Sequence, residues 1–177
     1  MWSPDGYLAA WRYAGEMHAD QKVPGTELPY IAHVGAVAME VLSALAQGSR
    51  VDNPDLAVQA ALLHDVIEDT PATYADVSAR FGAAVADGVL ALTKDKTLPS
   101  KAQQMADSLA RIRQQPQEVW MVKLADRITN LQPPPAHWDA AKIAAYRDEA
   151  MTILDALGEA DGWLAERLRG KIKGYPG

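Results

Sequence analysis

Val34, Val37, Ala38, Val41, Leu42 and Leu45 recur at i, i+3, i+4, i+7, i+8 and i+11. That spacing gathers side chains on one face of an α-helix and would scatter them over both faces of a strand. The same period runs through nearly every segment of the 177 residues, and strand-like alternation is scarce. A chain patterned this way must bury its apolar stripes helix against helix, which predicts an all-α bundle.

Caps, prolines and glycines set the boundaries. The pattern predicts a first helix over Pro4 to His18, then a loop from Lys22 to Pro29, a stretch with two prolines and a glycine. The apolar helix that follows His33 ends near Gly48. Asn53-Pro54-Asp55 is a cap followed by proline at the first helical position, and it opens a helix running to about Glu68. Thr73 to Arg80, followed by Phe81-Gly82, and Ala83 to Leu92 are two shorter helices. Pro99 to Gln114 and Gln117 to Leu131 come next, separated by Pro116, and Pro133-Pro134-Pro135 stops the second. Ala140 to Leu157 and Asp161 to about Lys173 close the chain, with Gly158 near the C-cap. The loop is too short to divide the chain and no repeat is present. The expectation is one domain, residues 1–177, of about eight to ten helices.

Several function classes drop out on composition. Without cysteine there is no disulfide framework, thiolate metal site or thiol nucleophile. A net charge of −6 argues against a broad nucleic-acid surface. The densest cations, Arg167, Arg169, Lys171 and Lys173, read as a solvated helix end complementing the dipole. No apolar run approaches the roughly 18 residues that cross a bilayer, and Met1-Trp2-Ser3-Pro4-Asp5 lacks the character of a signal peptide. A cytoplasmic protein without nucleic-acid or membrane partners is expected, its oligomeric state left open. Neither a Walker-type phosphate loop nor a G-x-S-x-G elbow occurs.

The chemistry concentrates in one helix. From Leu56 to Leu63 only Gln59 is polar, so this segment is buried all round; it then delivers His64, Asp65, Glu68 and Asp69 within six residues. Such groups, once buried, need partners, solvent or a metal. His64 with Glu68, and Asp65 with Asp69, are spaced one turn apart. An acidic, solvated last turn with a capping histidine fits the same residues. His33, after Pro29-Tyr30-Ile31, reads as a core histidine or as a ligand. In the helix of Asp126, Trp120, Leu124, Ile128 and Leu131 form one face; Lys123, Asp126 and Asn130 form another. That second face reads either as a surface stripe with an Asp126–Arg127 or Asp126–Lys123 pair, or as part of a site.

Taken in order, these residues make His…His-Asp…Asp, with Glu68-Asp69 one turn past the pair and Asn130 one turn past Asp126. The order resembles the HD superfamily of metal-dependent phosphohydrolases. More closely it is similar to the hydrolase domain of the RelA/SpoT enzymes and their small stand-alone relatives, which remove the 3′-pyrophosphate of ppGpp. The strings that carry the resemblance are Pro29-Tyr30-Ile31-Ala32-His33, Ala61-Leu62-Leu63-His64-Asp65-Val66-Ile67-Glu68-Asp69-Thr70 and Val122-Lys123-Leu124-Ala125-Asp126-Arg127-Ile128-Thr129-Asn130-Leu131. The resemblance implies an HD-type helical bundle in which His33, His64, Asp65 and Asp126 bind one divalent ion, usually manganese. It implies that Glu68 and Asp69 activate and position water and that Asn130 helps hold the nucleotide. Two imidazoles and two carboxylates do suit a divalent ion that keeps open positions for water and a phosphate oxygen. Lys22 and Lys123 are further candidates for substrate contact.

The chain departs from that family in the nucleotide pocket. Relatives usually carry an Arg-Lys pair before the first histidine, whereas this loop offers Lys22 alone; their His-Pro is His33-Val34; and Pro133 stands where a hydroxyl residue often serves the nucleotide. Of the four histidines none falls between Glu68 and Ala125, which favours a single metal over the dinuclear HD branches; His18 and His137 read as structural or exposed. On a length of 177 residues, synthetase and regulatory domains are not expected. The expected activity is hydrolysis of a small nucleotide, most closely ppGpp. The alternatives are another nucleotide phosphate, such as a nucleoside monophosphate or NADPH, and a non-catalytic metal- or nucleotide-binding module.

Overall fold

Side-chain caps begin six of the helices: Ser3, Asn53, Thr73, Ser100, Asp139 and Asp161 each accept a hydrogen bond from a backbone N–H in the turn behind them. The computed structural model describes residues 1–176. Among these are α1 (Pro4–Met17), α2 (Ile31–Ala46), α3 (Pro54–Leu63), α4 (Val66–Asp69), α5 (Tyr74–Phe81), α6 (Ala83–Leu92), α7 (Lys101–Ile112), α8 (Gln117–Asn130), α9 (Ala140–Leu157) and α10 (Gly162–Gly174). A short 3₁₀ turn, Gly158–Ala160, joins the last two. The described residues contain no strand, only an isolated bridge between Lys22 and Pro29 that pinches the loop between α1 and α2. No helix is long and apolar enough to cross a membrane.

The helix that is apolar all round occupies the centre. α3 buries Leu56, Ala57, Val58, Ala60, Ala61, Leu62 and Leu63 and packs against α1, α2, α6 and α8. α8 is nearly as enclosed, and it packs on α2, α3, α9 and α10. Gly88 on α6 permits the approach to α8, since a Cβ there would stand 2.8 Å from Val119. Gly82, at φ +87, makes the corner between α5 and α6 that an L side chain would strain. Thus α2, α3 and α8 touch one another, and each carries part of the His…His-Asp…Asp series.

Two expectations change. The helix predicted from Pro54 to Glu68 is interrupted: α3 stops at Leu63, Asp65 turns at φ −105 and ψ −1, and α4 starts at Val66. At this end the His64 ring takes over a helix-terminal acceptor, its Nδ1 lying 2.9 Å from the Ala61 carbonyl. Arg167 is also more than part of a solvated helix end. Its guanidinium grips the buried Glu40 carboxylate through two hydrogen bonds of 2.5 Å, tying α10 to α2.

Candidate active site

α2 contributes His33 from its first turn, the end of α3 contributes His64, the break after it Asp65, and α8 contributes Asp126. His33 Nε2 faces His64 Nε2 at 3.3 Å, Asp126 Oδ1 at 3.5 Å and Asp65 Oδ2 at 3.8 Å. His64 Nε2 lies 2.9 Å from Asp65 Oδ2 and 3.9 Å from Asp126 Oδ1. One donor atom each from His33, His64 and Asp126 falls within 4.8 Å of the others, and all three residues are buried. Asp65 borders this trio and also accepts the Tyr30 hydroxyl at 2.5 Å.

The partners orient the cluster. Only an N–H can meet the Ala61 carbonyl, so His64 carries a proton on Nδ1 and turns Nε2 toward the cluster. Asp126 receives the Lys123 ammonium on Oδ2 at 3.0 Å and the Asn130 amide on Oδ1 at 2.5 Å. Of the two pairings open at the sequence level, Asp126 thus takes Lys123, while Arg127 pairs with Glu149 of α9.

Without an ion, the electrostatics follow from burial set against charge. Burial opposes a charge on His64, but the Asp65 and Asp126 carboxylates outweigh it and lift the imidazole to about 9. Burial likewise resists ionisation of Asp65 and Asp126. The facing His64 imidazolium overrides it for Asp65, and the Lys123 ammonium does so for Asp126, so both stay well below the usual carboxylate range. The donor set suits a divalent ion: nitrogen and oxygen donors, deprotonated carboxylates, and an Nε2 proton that an ion would displace.

Glu68 and Asp69 on α4 line a cavity of about 130 Å³ together with Tyr30, His64, Asp65, Lys94, Lys123, Asp126 and Asn130. Glu68 Oε2 accepts the Lys94 backbone N–H at 2.9 Å, and Oε1 lies 3.8 Å from the Lys94 ammonium. Lys96 donates to the Glu68 carbonyl at 2.9 Å and to Asp69 Oδ1 at 3.2 Å. The break after α3 therefore replaces the expected side-by-side pairs: His64 and Asp65 pair with each other, and Glu68 and Asp69 meet lysines 26 and 27 residues away.

Lys22 stands apart. Its ammonium is paired with Glu27 on the exposed loop, while its neighbours Val23 to Thr26 line a second cavity of about 570 Å³. That apolar groove includes His33, Asn130, Pro133, Trp138, Tyr146 and Tyr175, and Asn130 borders both cavities. The Arg127 guanidinium lies 4.5 Å from the Tyr146 ring centroid. Burial pushes the Tyr146 phenol up to about 12, so it stays neutral.

The sequence reading missed Tyr30, Lys94 and Lys96. Tyr30 sits inside a quoted string but carried no chemistry there. Nothing local separates Lys94 and Lys96 from other turn lysines. His18, read as structural or exposed, is buried; His137 is exposed.

Residues 10–164 match the family model of the HD domain. The chain belongs to the HD domain family. It is 33% identical over 167 residues to the zebrafish (Danio rerio) guanosine-3′,5′-bis(diphosphate) 3′-pyrophosphohydrolase MESH1, covering 92% of this chain and 89% of that protein. The human MESH1 is 32% identical over 174 residues, covering 94% and 92%. The bifunctional (p)ppGpp synthase/hydrolase SpoT of Escherichia coli K12 is 40% identical over 128 residues, which are 70% of this chain and 17% of SpoT. A solved metazoan SpoT ortholog, described as hydrolysing ppGpp, matches with a TM-score of 0.82 at 28% identity, covering 98% of this chain and 97% of that one. The HD fold and these relatives support a hydrolase. HD hydrolases bind a divalent metal, and His33, His64 and Asp126 form a group able to hold one.

Proposed function

We propose that this HD domain protein is a manganese-dependent hydrolase that removes the 3′-pyrophosphate of ppGpp. The observation that carries the reading is the shared cavity: His64, Asp65 and Asp126, which meet His33 in the cluster fit for an ion, and two further carboxylates, Glu68 and Asp69, open on the same space of about 130 Å³. A purely structural ion site needs only its ligands, so Glu68 and Asp69 favour catalysis over a binding module. The names carried by relatives that align over nearly the whole chain point to ppGpp as substrate.

In this reading His33, His64, Asp65 and Asp126 hold one ion. When bound, that ion lowers the pKa of water and offsets charge on the phosphates. Glu68 takes the proton from the attacking water, and Asp69 positions that water, each held in place by its lysine. Water adds to the phosphorus next to the ribose O3′, the P–O3′ bond breaks, and O3′ takes up a proton, leaving GDP and pyrophosphate. Lys123 and Lys94, both at the cavity, face the pyrophosphate charge. Asn130, bordering both cavities, holds the nucleotide where the phosphate site meets the groove, and the groove takes the nucleoside. Lys22 reaches the substrate only by releasing Glu27. We read residues 1–177 as one such domain, acting in the cytoplasm on a small nucleotide and not on nucleic acid.

The test is a pair of isosteric variants. Glu68→Gln and Asp69→Asn are expected to keep fold and metal while lowering kcat about 10²-fold or more, the scale of a lost acid–base group. Undiminished turnover in both would remove them from the mechanism.

A further inference from the structure

Asp65 is the least enclosed of the four residues assigned to the ion, with a side chain 19% exposed against 3% for His64. It stands at the break between α3 and α4, where its carbonyl accepts the Asp69 N–H at 2.9 Å but its side chain makes no capping bond. Two side chains meet its carboxylate, and one of them, His64 Nε2 at 2.9 Å from Oδ2, is a nitrogen that an ion would claim. The other is the Tyr30 hydroxyl, which donates to Asp65 Oδ2 at 2.5 Å and lines the same cavity.

Tyr30 is itself held on every side. Its ring packs between the imidazoles of His18 and His33, at centroid distances of 4.8 and 5.2 Å. Its backbone N–H bonds to the Gln21 carbonyl at 2.9 Å, across the loop that the Lys22–Pro29 bridge closes. His18 is buried at the end of α1, and its Nδ1 lies 2.6 Å from Gln21 Oε1. The Gln21 amide reaches on to the Asp69 carbonyl at 2.5 Å. The hydroxyl is thus fixed by the packing of its ring and by backbone bonds.

We propose that Tyr30 is a positioning residue whose hydroxyl holds the Asp65 carboxylate for the divalent ion and so sets metal affinity, without itself binding ion or substrate. The inference rests on Asp65 being a ligand. Groups that hydrogen-bond a metal ligand typically set affinity by about 10- to 100-fold, and Tyr30→Phe removes the hydroxyl while leaving the ring packed.

The experiment is calorimetric titration of the chelator-stripped protein with Mn²⁺ for wild type, Tyr30→Phe, Asp65→Asn and the double variant, alongside Tm of the ion-free forms. Tyr30→Phe is expected to weaken Mn²⁺ binding about tenfold or more, while the ion-free protein still unfolds in one cooperative transition with Tm lowered by a few degrees for the lost hydrogen bond. In the Asp65→Asn background the same change should have no further effect, because the hydroxyl acts only through that carboxylate. Wild-type affinity in Tyr30→Phe, with affinity lost in Asp65→Asn, would overturn the positioning role alone. Wild-type affinity in Asp65→Asn would overturn the ligand assignment and this inference with it. Additive losses in the double variant would mean that Tyr30 acts through something other than Asp65.

Discussion

His64 carries the clearest consequence at the residue scale. Its imidazole is raised from 6.5 to about 9 in the ion-free protein, where its charged form faces Asp65 and Asp126. A raised histidine stabilises the fold fully below its ordinary value, and that contribution fades as pH climbs through the raised one. Ion-free protein should therefore lose stability between about pH 6.5 and 9, an effect readable as a falling Tm. Asp65 and Asp126 act on the other flank: their contribution is full above the usual carboxylate range and drains away as pH falls through that range toward their lowered values. Mn²⁺ must displace the Nε2 proton, so apparent affinity should rise with pH, by up to about tenfold per unit, and level off above about 9. An affinity flat from pH 6.5 to 9 would mean that no such proton is displaced.

At the scale of elements, α3 and α8 explain both what the sequence reveals and what it hides. An apolar run with one polar residue announces a buried helix, and α3 sits at the centre of the bundle. The Asn53 cap and the proline at the first helical position behind it were equally legible, since both act through neighbours in sequence. α9 spans the residues its periodicity predicts. The break at His64 was not legible, because the run from Leu56 to Asp69 keeps a helical spacing throughout and carries no proline or glycine to mark a stop. Nor were the contacts of Lys94 and Lys96 with Glu68 and Asp69, which exist only once α6 has packed beside α4. Because α3 has contacts on every side, Leu62→Ala should destabilise the fold by about 2–5 kcal/mol in denaturant unfolding. A loss below about 1 kcal/mol would mean that the site can collapse around the missing atoms.

At the scale of the whole molecule, the bundle sets two unlike cavities side by side. One is small and charged, lined by His64, Asp65, Glu68, Asp69 and Asp126 from the motif order; the other, which His33 borders, is larger and apolar, walled by Pro133, Trp138, Tyr146 and Tyr175. The order His…His-Asp…Asp made the first legible in the sequence, while the groove, assembled from the loop before α2 and from chain beyond α8, was legible only as departures at Lys22 and Pro133. An apolar groove with Lys22 paired to Glu27 offers few groups to tell guanine from adenine. The kcat/KM values for ppGpp and its adenine counterpart should therefore lie within about tenfold of each other, and Lys22→Ala should change them little, as surface ion pairs are weak. Guanine preference of several hundredfold would place base recognition on groups other than Lys22 and the apolar walls of the groove.

The central claim is that the cavity shared by the ion-type cluster and Glu68 cleaves ppGpp. Its most direct test is to incubate chelator-stripped protein with ppGpp, with and without added Mn²⁺, and to follow the products by phosphorus NMR for wild type and Asp126→Ala. The account predicts GDP and pyrophosphate in equal amounts, only with Mn²⁺ and only in the wild type. Intact ppGpp in the presence of Mn²⁺-loaded wild type, or equal release by Asp126→Ala, would contradict it.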